Sequence, residues 1–328
     1  MSTATQPTST QPTPPLAMRT VSDQETDYDT LCAIRNQMFP DMLVSVASTR
    51  YHDEVRPEGL LHQRFEARRG GKIVAFASVS ESDWCLEPGR VAVDWWALHP
   101  EDEPAICDYV LGWARAQGAT IITYATREDC PARVALIEAR GFSTCLRAPI
   151  SVLDVEAFVP EPWVLAMERV RARGVEILTA DALESRFPDW QRRLWTLSGH
   201  VEEDMPRPEG AGLTWPPFEQ WLRYIQGPQW CPEGCFVAVD GGEFVGLSAL
   251  ELRLADPKKL HTTITGVERS HRRRGICTAL KLHAIDFAAR RGAVEIDTDN
   301  EENNPMYAIN MRLGFTPRPA YLIFIRRY

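Results

Sequence analysis

Two hydrophobic periods alternate along this chain, and the alternation runs through twice. Lys72–Ser80 (KIVAFASVS) and Glu243–Leu252 (EFVGLSALEL) are apolar runs that suit a pleated surface. Each follows a glycine pair, Gly70-Gly71 and Gly241-Gly242, of the kind that closes a tight hairpin. Both therefore predict strands. Ahead of them, residues 18–21 and 175–179 read as strands, and helical spacing follows over Tyr28–Met38 and over 187–196. Behind them the two series stay in step. Strand 91–98 answers strand 262–267, helix 105–116 answers helix 278–289, and strand 120–125 answers strand 294–298. The run ALIEARGF (135–142) answers AINMRLGF (308–315), and the series close on apolar strands, 150–155 and 321–325. This parallel order predicts an internal duplication, with one unit over 18–159 and a second over 175–328. Residues 160–174, a helical piece at 163–171 between Pro and Gly, read as the linker. Residues 1–17 are mostly Ser, Thr, Gln and Pro, which bury no core, and are expected to form a disordered tail.

Composition narrows the class. A chain of 328 residues suits two domains, and 44% apolar with 25% charged is ordinary for a globular protein. A net charge of −9 argues against a general nucleic-acid binder. No apolar run is long enough to span a bilayer, and the N-terminus lacks the layout of a signal peptide, so the cytoplasm is the expected location. Eight cysteines are scattered, with Cys231 and Cys235 the only close pair. No further Cys or His follows at metal-ligand spacing, so that pair reads as a turn, the thiols as reduced, and no metal is expected.

The chemistry concentrates at residues 262–277, TTITGVERSHRRRGIC. A β-branched strand runs into a charged turn, and helical spacing begins at Gly275 with Leu280, Ala284 and Phe287 on one face. This layout points free backbone N–H groups and the positive end of a helix at one place, which suits an anion and above all a diphosphate. Arg272, Arg273 and Arg274 add charge, and Gly275 permits close backbone approach. The Lys-Ser/Thr pair of a nucleotide-hydrolase loop and the GxGxxG dinucleotide fingerprint are both missing.

Arg272-x-x-Gly275-x-Cys277 resembles the Arg/Gln-x-x-Gly-x-Gly/Ala turn of the GNAT acetyltransferase superfamily, with Cys277 standing where Gly or Ala is usual. AVEIDTDN (293–300) and NNPMYAINMRLGF (303–315) resemble the strand, helix and Leu-Gly-Phe corner that follow it there. The resemblance implies a mixed α+β fold of two tandem GNAT-like domains. Each would be a mostly antiparallel twisted sheet with a splayed parallel strand pair, flanked by helices. It implies acetyl-CoA as co-substrate and direct attack by the amine of a small molecule or peptide. Thr265, Gly266 and Val267 would hold the pantetheine. Arg272, Arg273, Arg274, Gly275, Ile276, Cys277 and Thr278 would cradle the pyrophosphate, and Asn304 and Asn310 would touch the cofactor near its thioester. A tyrosine that often serves as proton donor is replaced by Asn310, which leaves Tyr307, one turn earlier, as the substitute. His261, six residues before Val267, is the first candidate base, and Glu251 the second. The oxyanion would meet a backbone N–H near Val267. The acceptor is expected in the insertion 198–234, where Trp215, Phe218, Trp221, Tyr224 and Trp230 accompany Glu202, Glu203 and Asp204. The first unit's turn, His99-Pro100-Glu101-Asp102-Glu103-Pro104, lacks Arg and Gly, carries acids that repel phosphate, and loses a donor at Pro104, so that unit is expected not to bind acetyl-CoA. The competing reading is a non-catalytic acyl-CoA-binding protein.

Overall fold

The computed structural model describes residues 14–208 and 210–328. The expected tail falls mostly outside the described residues; Leu16 packs on the first core and Ala17 opens the first strand. The first unit runs β1 (Ala17–Val21), α1 (Tyr28–Met38), α2 (Val46–Glu54), β2 (His62–Arg69), β3 (Lys72–Ser80), β4 (Arg90–Ala97), α3 (Glu103–Ala116), β5 (Ile121–Arg127), α4 (Pro131–Glu138) and β6 (Ser143–Asp154). Helix α5 (Val164–Arg171) follows. The second unit runs β7 (Glu176–Thr179), α6 (Ala180–Arg186), α7 (Trp190–Glu203), α8 (Phe218–Ile225), β8 (Trp230–Asp240), β9 (Glu243–Leu252), β10 (Lys259–Val267), α9 (Ile276–Arg291), β11 (Glu295–Asp299), α10 (Pro305–Arg312) and β12 (Thr316–Arg327). No helix among the described residues is long and apolar enough to cross a membrane.

The twelve strands among the described residues join one sheet, in the order β1-β2-β3-β4-β5-β12-β6-β11-β10-β9-β8-β7. Within it each unit repeats the other, and each is completed by the other's last strand. β12 pairs with β5 of the first unit, β6 pairs with β11 of the second, and β6 and β12 pair with each other. Among the described residues only β4–β5 and β10–β11 are parallel, and every other pairing is antiparallel. Phe324 of β12 is fully buried in the first unit's core, beside Trp95 and Tyr124, whereas Leu153 of β6 belongs to the second unit's core under α9.

Several boundaries depart from the hydrophobic pattern. The closing strands each reach twelve residues, 143–154 and 316–327, because they span both units. The helix predicted over 187–196 starts only at Trp190 and runs on to Glu203, and a helix the spacing did not predict, α6, precedes it. Phe187 is extended (φ −133, ψ 102), as a residue before proline must be, so α6 ends at Arg186 and α7 starts beyond Pro188. The Cys231–Cys235 stretch is not a turn but the irregular start of β8, where the register with β9 shifts between Trp230 and Cys235. Cys32, Cys85, Cys107, Cys130, Cys231, Cys235 and Cys277 are free thiols.

Candidate functional site

β10 and β11 stay paired only from Lys259↔Glu295 to His261↔Asp297 and then part. The gap opens into a cavity of about 960 Å³, floored by Leu146 and Ala148 of β6 and Ile323 of β12. One wall is β10 from Thr262 to Val267, another is the turn before α9, and a third is the first turn of α10. At the turn, Arg273 (φ 62) and Gly275 (φ 86) both take the left-handed conformation. Gly275 adopts it at little cost, while a side chain such as that of Arg273 is uncommon there, so backbone strain sits at the cavity mouth. A Cβ added to Gly275 meets only Val170 of α5, at 3.5 Å, so it is the φ angle that calls for glycine. The first N–H groups of α9, at Ile276, Cys277 and Thr278, have no carbonyl four residues behind them, and these residues line the cavity.

Charge at this mouth is already partly balanced. Asp204, at the end of α7, lines the cavity and accepts from Arg269 (3.0 Å) and from Arg272. Those two guanidinium groups, Arg269 first, hold its carboxyl below the usual range against the opposing effect of burial. Deeper in, Lys281 is 3% exposed and reaches the cavity wall from the second turn of α9. Its ammonium lies 5.6 Å from the Phe315 ring centroid, and burial pushes its pKa down to about 8. Burial likewise pushes the neighbouring Cys277 thiol up to about 11.

A second cavity of about 440 Å³ lies on the other side of β10. Thr263 and Ile264 line both cavities. Here the register of β10 on β9 shifts, from Thr262↔Leu250 to Ile264↔Ala249. Thr263 is thus the extra residue of a bulge, left out of the ladder at the boundary between the two spaces. Trp215, Trp221, Tyr224 and Trp230 line the second cavity together with Glu202 and Glu251, and burial raises the pKa of both carboxyls.

Of the residues singled out in the sequence, Thr265, Gly266, Val267, Arg272, Arg273, Gly275, Ile276, Cys277, Thr278 and Asn304 line the first cavity, and Glu251 lines the second. Asn304 also caps α10, its side chain accepting from Met306 N–H at 2.9 Å. Gly266 has a packing role as well, since a Cβ there would fall 2.2 Å from Val201 of α7. Five others sit elsewhere. Arg274 turns outward to Ser270 and Asp240. Asn310 is fully buried and donates to Asn300 Oδ1 at 2.7 Å, tying α10 to the end of β11. Tyr307 lies half-buried on α10 away from both cavities. His261 lies against Asp297 (2.5 Å) and Arg253 (3.1 Å), beside its cross-strand neighbour Glu251. Phe218 packs in the core beneath α8. Lys281, Asp299 and the first-unit residues at the second cavity (Tyr51, His52, Val55, Trp84) were not visible as site residues in the sequence. The strand pattern alone gives no sign that α2 and the loop after β3 cross to the second unit.

The corresponding gap in the first unit is filled. β4 and β5 part after Val93↔Tyr124, and there the Trp95 and Tyr124 rings stack at 4.2 Å. The guanidinium of Arg133, from α4, donates to Trp95 O (3.2 Å) and to Glu103 (2.9 Å). Glu103 is a buried carboxylate on the first turn of α3, in the place where the second unit presents free N–H groups.

The model of the acetyltransferase (GNAT) family matches residues 200–315. No curated protein is close enough in sequence to count as a relative. Among solved structures, a tandem GNAT protein from the clavulanic acid biosynthesis pathway is similar with a TM-score of 0.71 and 16% identity, over 95% of this chain and 98% of that one. A GCN5-related N-acetyltransferase from Sphaerobacter thermophilus is similar with a TM-score of 0.65 and 17% identity, over 96% and 97%. A GCN5-related glucosamine N-acetyltransferase region of a fungal multi-domain β-N-acetylglucosaminidase scores 0.66 at 16% identity, covering 97% of this chain and 38% of that one.

Proposed function

We propose that this chain, which carries a GNAT domain at residues 200–315 within a tandem GNAT fold, transfers an acyl group, acetyl above all, from acyl-CoA to a primary amine. The observation that carries this reading is the meeting of two cavities at the Thr263 bulge, one with a basic turn and free helix N–H groups, the other aromatic and acidic. The diphosphate would lie on the turn from Arg272 to Thr278, and the pantetheine between β10 and β11. An amine in the second cavity would then face the thioester across the bulge. Glu251 is the base that fits: it lines that cavity, and burial raises its pKa toward the working range. His261, its cross-strand neighbour, stands beside it, tied to Asp297 and Arg253. Glu251 takes a proton from the ammonium, the freed amine nitrogen bonds to the thioester carbon, the oxyanion takes a hydrogen bond from the bulge backbone, and the C–S bond breaks, the departing thiolate taking the second nitrogen proton. The bulge at Thr263 supports this donor better than the strand end near Val267.

Titration calorimetry with acetyl-CoA tests the reading first. One site per chain is expected, lost in Gly275→Glu and kept in Glu101→Lys, an exposed change in the first unit's turn. Two sites would overturn the assignment of the filled Trp95–Tyr124–Arg133 gap as a non-binding unit, and no binding would sink the acyl-CoA reading altogether. The non-catalytic reading draws on the absence of a tyrosine lining the first cavity among the described residues. CoA release with a panel of amines decides between the two: turnover with any of them excludes it.

A further inference from the structure

The second cavity also has features that select its occupant. Its rings form a connected wall. Trp84 of the first unit stands edge-on to Trp215 (5.4 Å) and stacks on Tyr224 (5.9 Å). Backbone bonds lock the two loops together, Thr214 N–H to Trp84 O at 2.9 Å and Leu86 N–H to Thr214 Oγ1 at 3.0 Å. Trp215 lies so close to α7 that a Cβ on Gly199 would meet its indole at 3.0 Å. Across the cavity, α2 is held on α8 by Tyr51 donating to Arg223 O (2.6 Å) and Gln220 donating to Val55 O (2.6 Å).

The charges are few. Glu202 lies 3.5 Å from Arg207, whose guanidinium also donates to the carbonyls of Met205 and Glu202. That pair is closed on itself. Glu251 remains as one carboxylate available to one ammonium. A second ammonium would be buried without a partner, and the hydroxyls of a sugar would lose water against indole rings; both disfavour binding. A flat or bulky apolar group, by contrast, gains area and ring contacts.

Resting on the acyltransfer reading above, we propose that the second cavity takes a single primary amine carried on an aromatic or bulky apolar body, and that the first unit, through Trp84 and α2, is the specificity wall. The intact protein with acetyl-CoA is assayed for CoA release against 2-phenylethylamine, tryptamine, spermidine, glucosamine, kanamycin and a short peptide with a free N-terminus. The aromatic amines should lead by about a hundredfold in kcat/KM, the worth of two or three such contacts. Trp84→Ala should raise their KM about tenfold, and Gly199→Ala, which leaves α7 helical but pushes Trp215 inward, should also raise it. Both variants should leave acetyl-CoA affinity unchanged, a readout that general unfolding would not spare. Preference for spermidine, a sugar or the peptide overturns the proposal. If no amine turns over, quenching of tryptophan fluorescence by the same amines separates the two ideas. Aromatic amines that bind, with loss in Trp84→Ala, uphold the cavity assignment and sink the acyltransfer reading; absence of binding sinks the cavity assignment.

Discussion

Two single residues control the first cavity by charge. Lys281 is buried without a carboxylate partner among the described residues, and its pKa falls to about 8 from 10.5. A folded value below the unfolded one means that the ammonium disfavours the fold. The full penalty applies below about pH 8, and it is relieved as pH rises from there toward the unfolded value. Lys281→Met should therefore stabilise the protein at pH 7, by up to about 3 kcal/mol, with a gain that shrinks by pH 10. Denaturant midpoints at the two pH values check this, and an equal gain at both would refute it. Asp204 acts from the other side. Its carboxylate already holds Arg269 and Arg272, and it would compete with a diphosphate for the latter. Asp204→Asn is expected to tighten acetyl-CoA binding by about three- to tenfold, read by calorimetry, since one anion is removed from an anion site. Lys281 did not stand out in the sequence, whereas Asp204 was expected with Glu202 and Glu203 at the acceptor and lies instead on the first cavity against Arg269 and Arg272. A lysine on a helix reads as exposed until the packing of Phe315 against it is known, and the acidic run 202–204 does not show which cavity each carboxylate faces.

At the level of elements, most of the fold was legible because hydrophobic period and punctuation agree. Tyr28–Met38, Lys72–Ser80 and Glu243–Leu252 have the bounds that their spacing and flanking glycines predict. Where period and punctuation conflicted, at Phe187-Pro188, the proline won and the helix predicted from Phe187 starts only at Trp190. The β10 bulge left no trace in the sequence, because an extra residue in a strand is defined only against its partner. The crossing of α7 over β10 is the tightest contact of this kind. Gly266 permits it, and Gly266→Ala should cost about 1–3 kcal/mol by forcing Val201 away. Thermal unfolding measures that cost, and a neutral result would mean that α7 shifts freely over the sheet.

The whole molecule is organised by exchange of its last strands. Since Phe324 near the C-terminus fills the first unit's core, Phe324→Ala should destabilise by about 3–5 kcal/mol. Hydrogen exchange should show the loss of protection in β4 and β5, some 200 residues away in sequence. Loss confined to residues 175–315 would contradict this packing. The same exchange places β6 and β12 under the first cavity, and the crossing of α2 onto α8 brings first-unit residues to the second. The unit with the filled gap thus contributes walls and floor to the other.

Local chemistry determined much of this protein from sequence alone. The period of each element, the turn glycines, the duplicated order and the basic turn before α9 are all set by neighbours a few residues apart. The tertiary structure decided what depends on partners distant in the chain. It seated β6 and β12 in each other's units, opened one parallel pair while Trp95, Tyr124 and Arg133 closed the other, and turned Glu251 rather than His261 toward the aromatic cavity. Which face a polar residue presents follows from the strand or helix packed against it, and a linear pattern does not specify that neighbour.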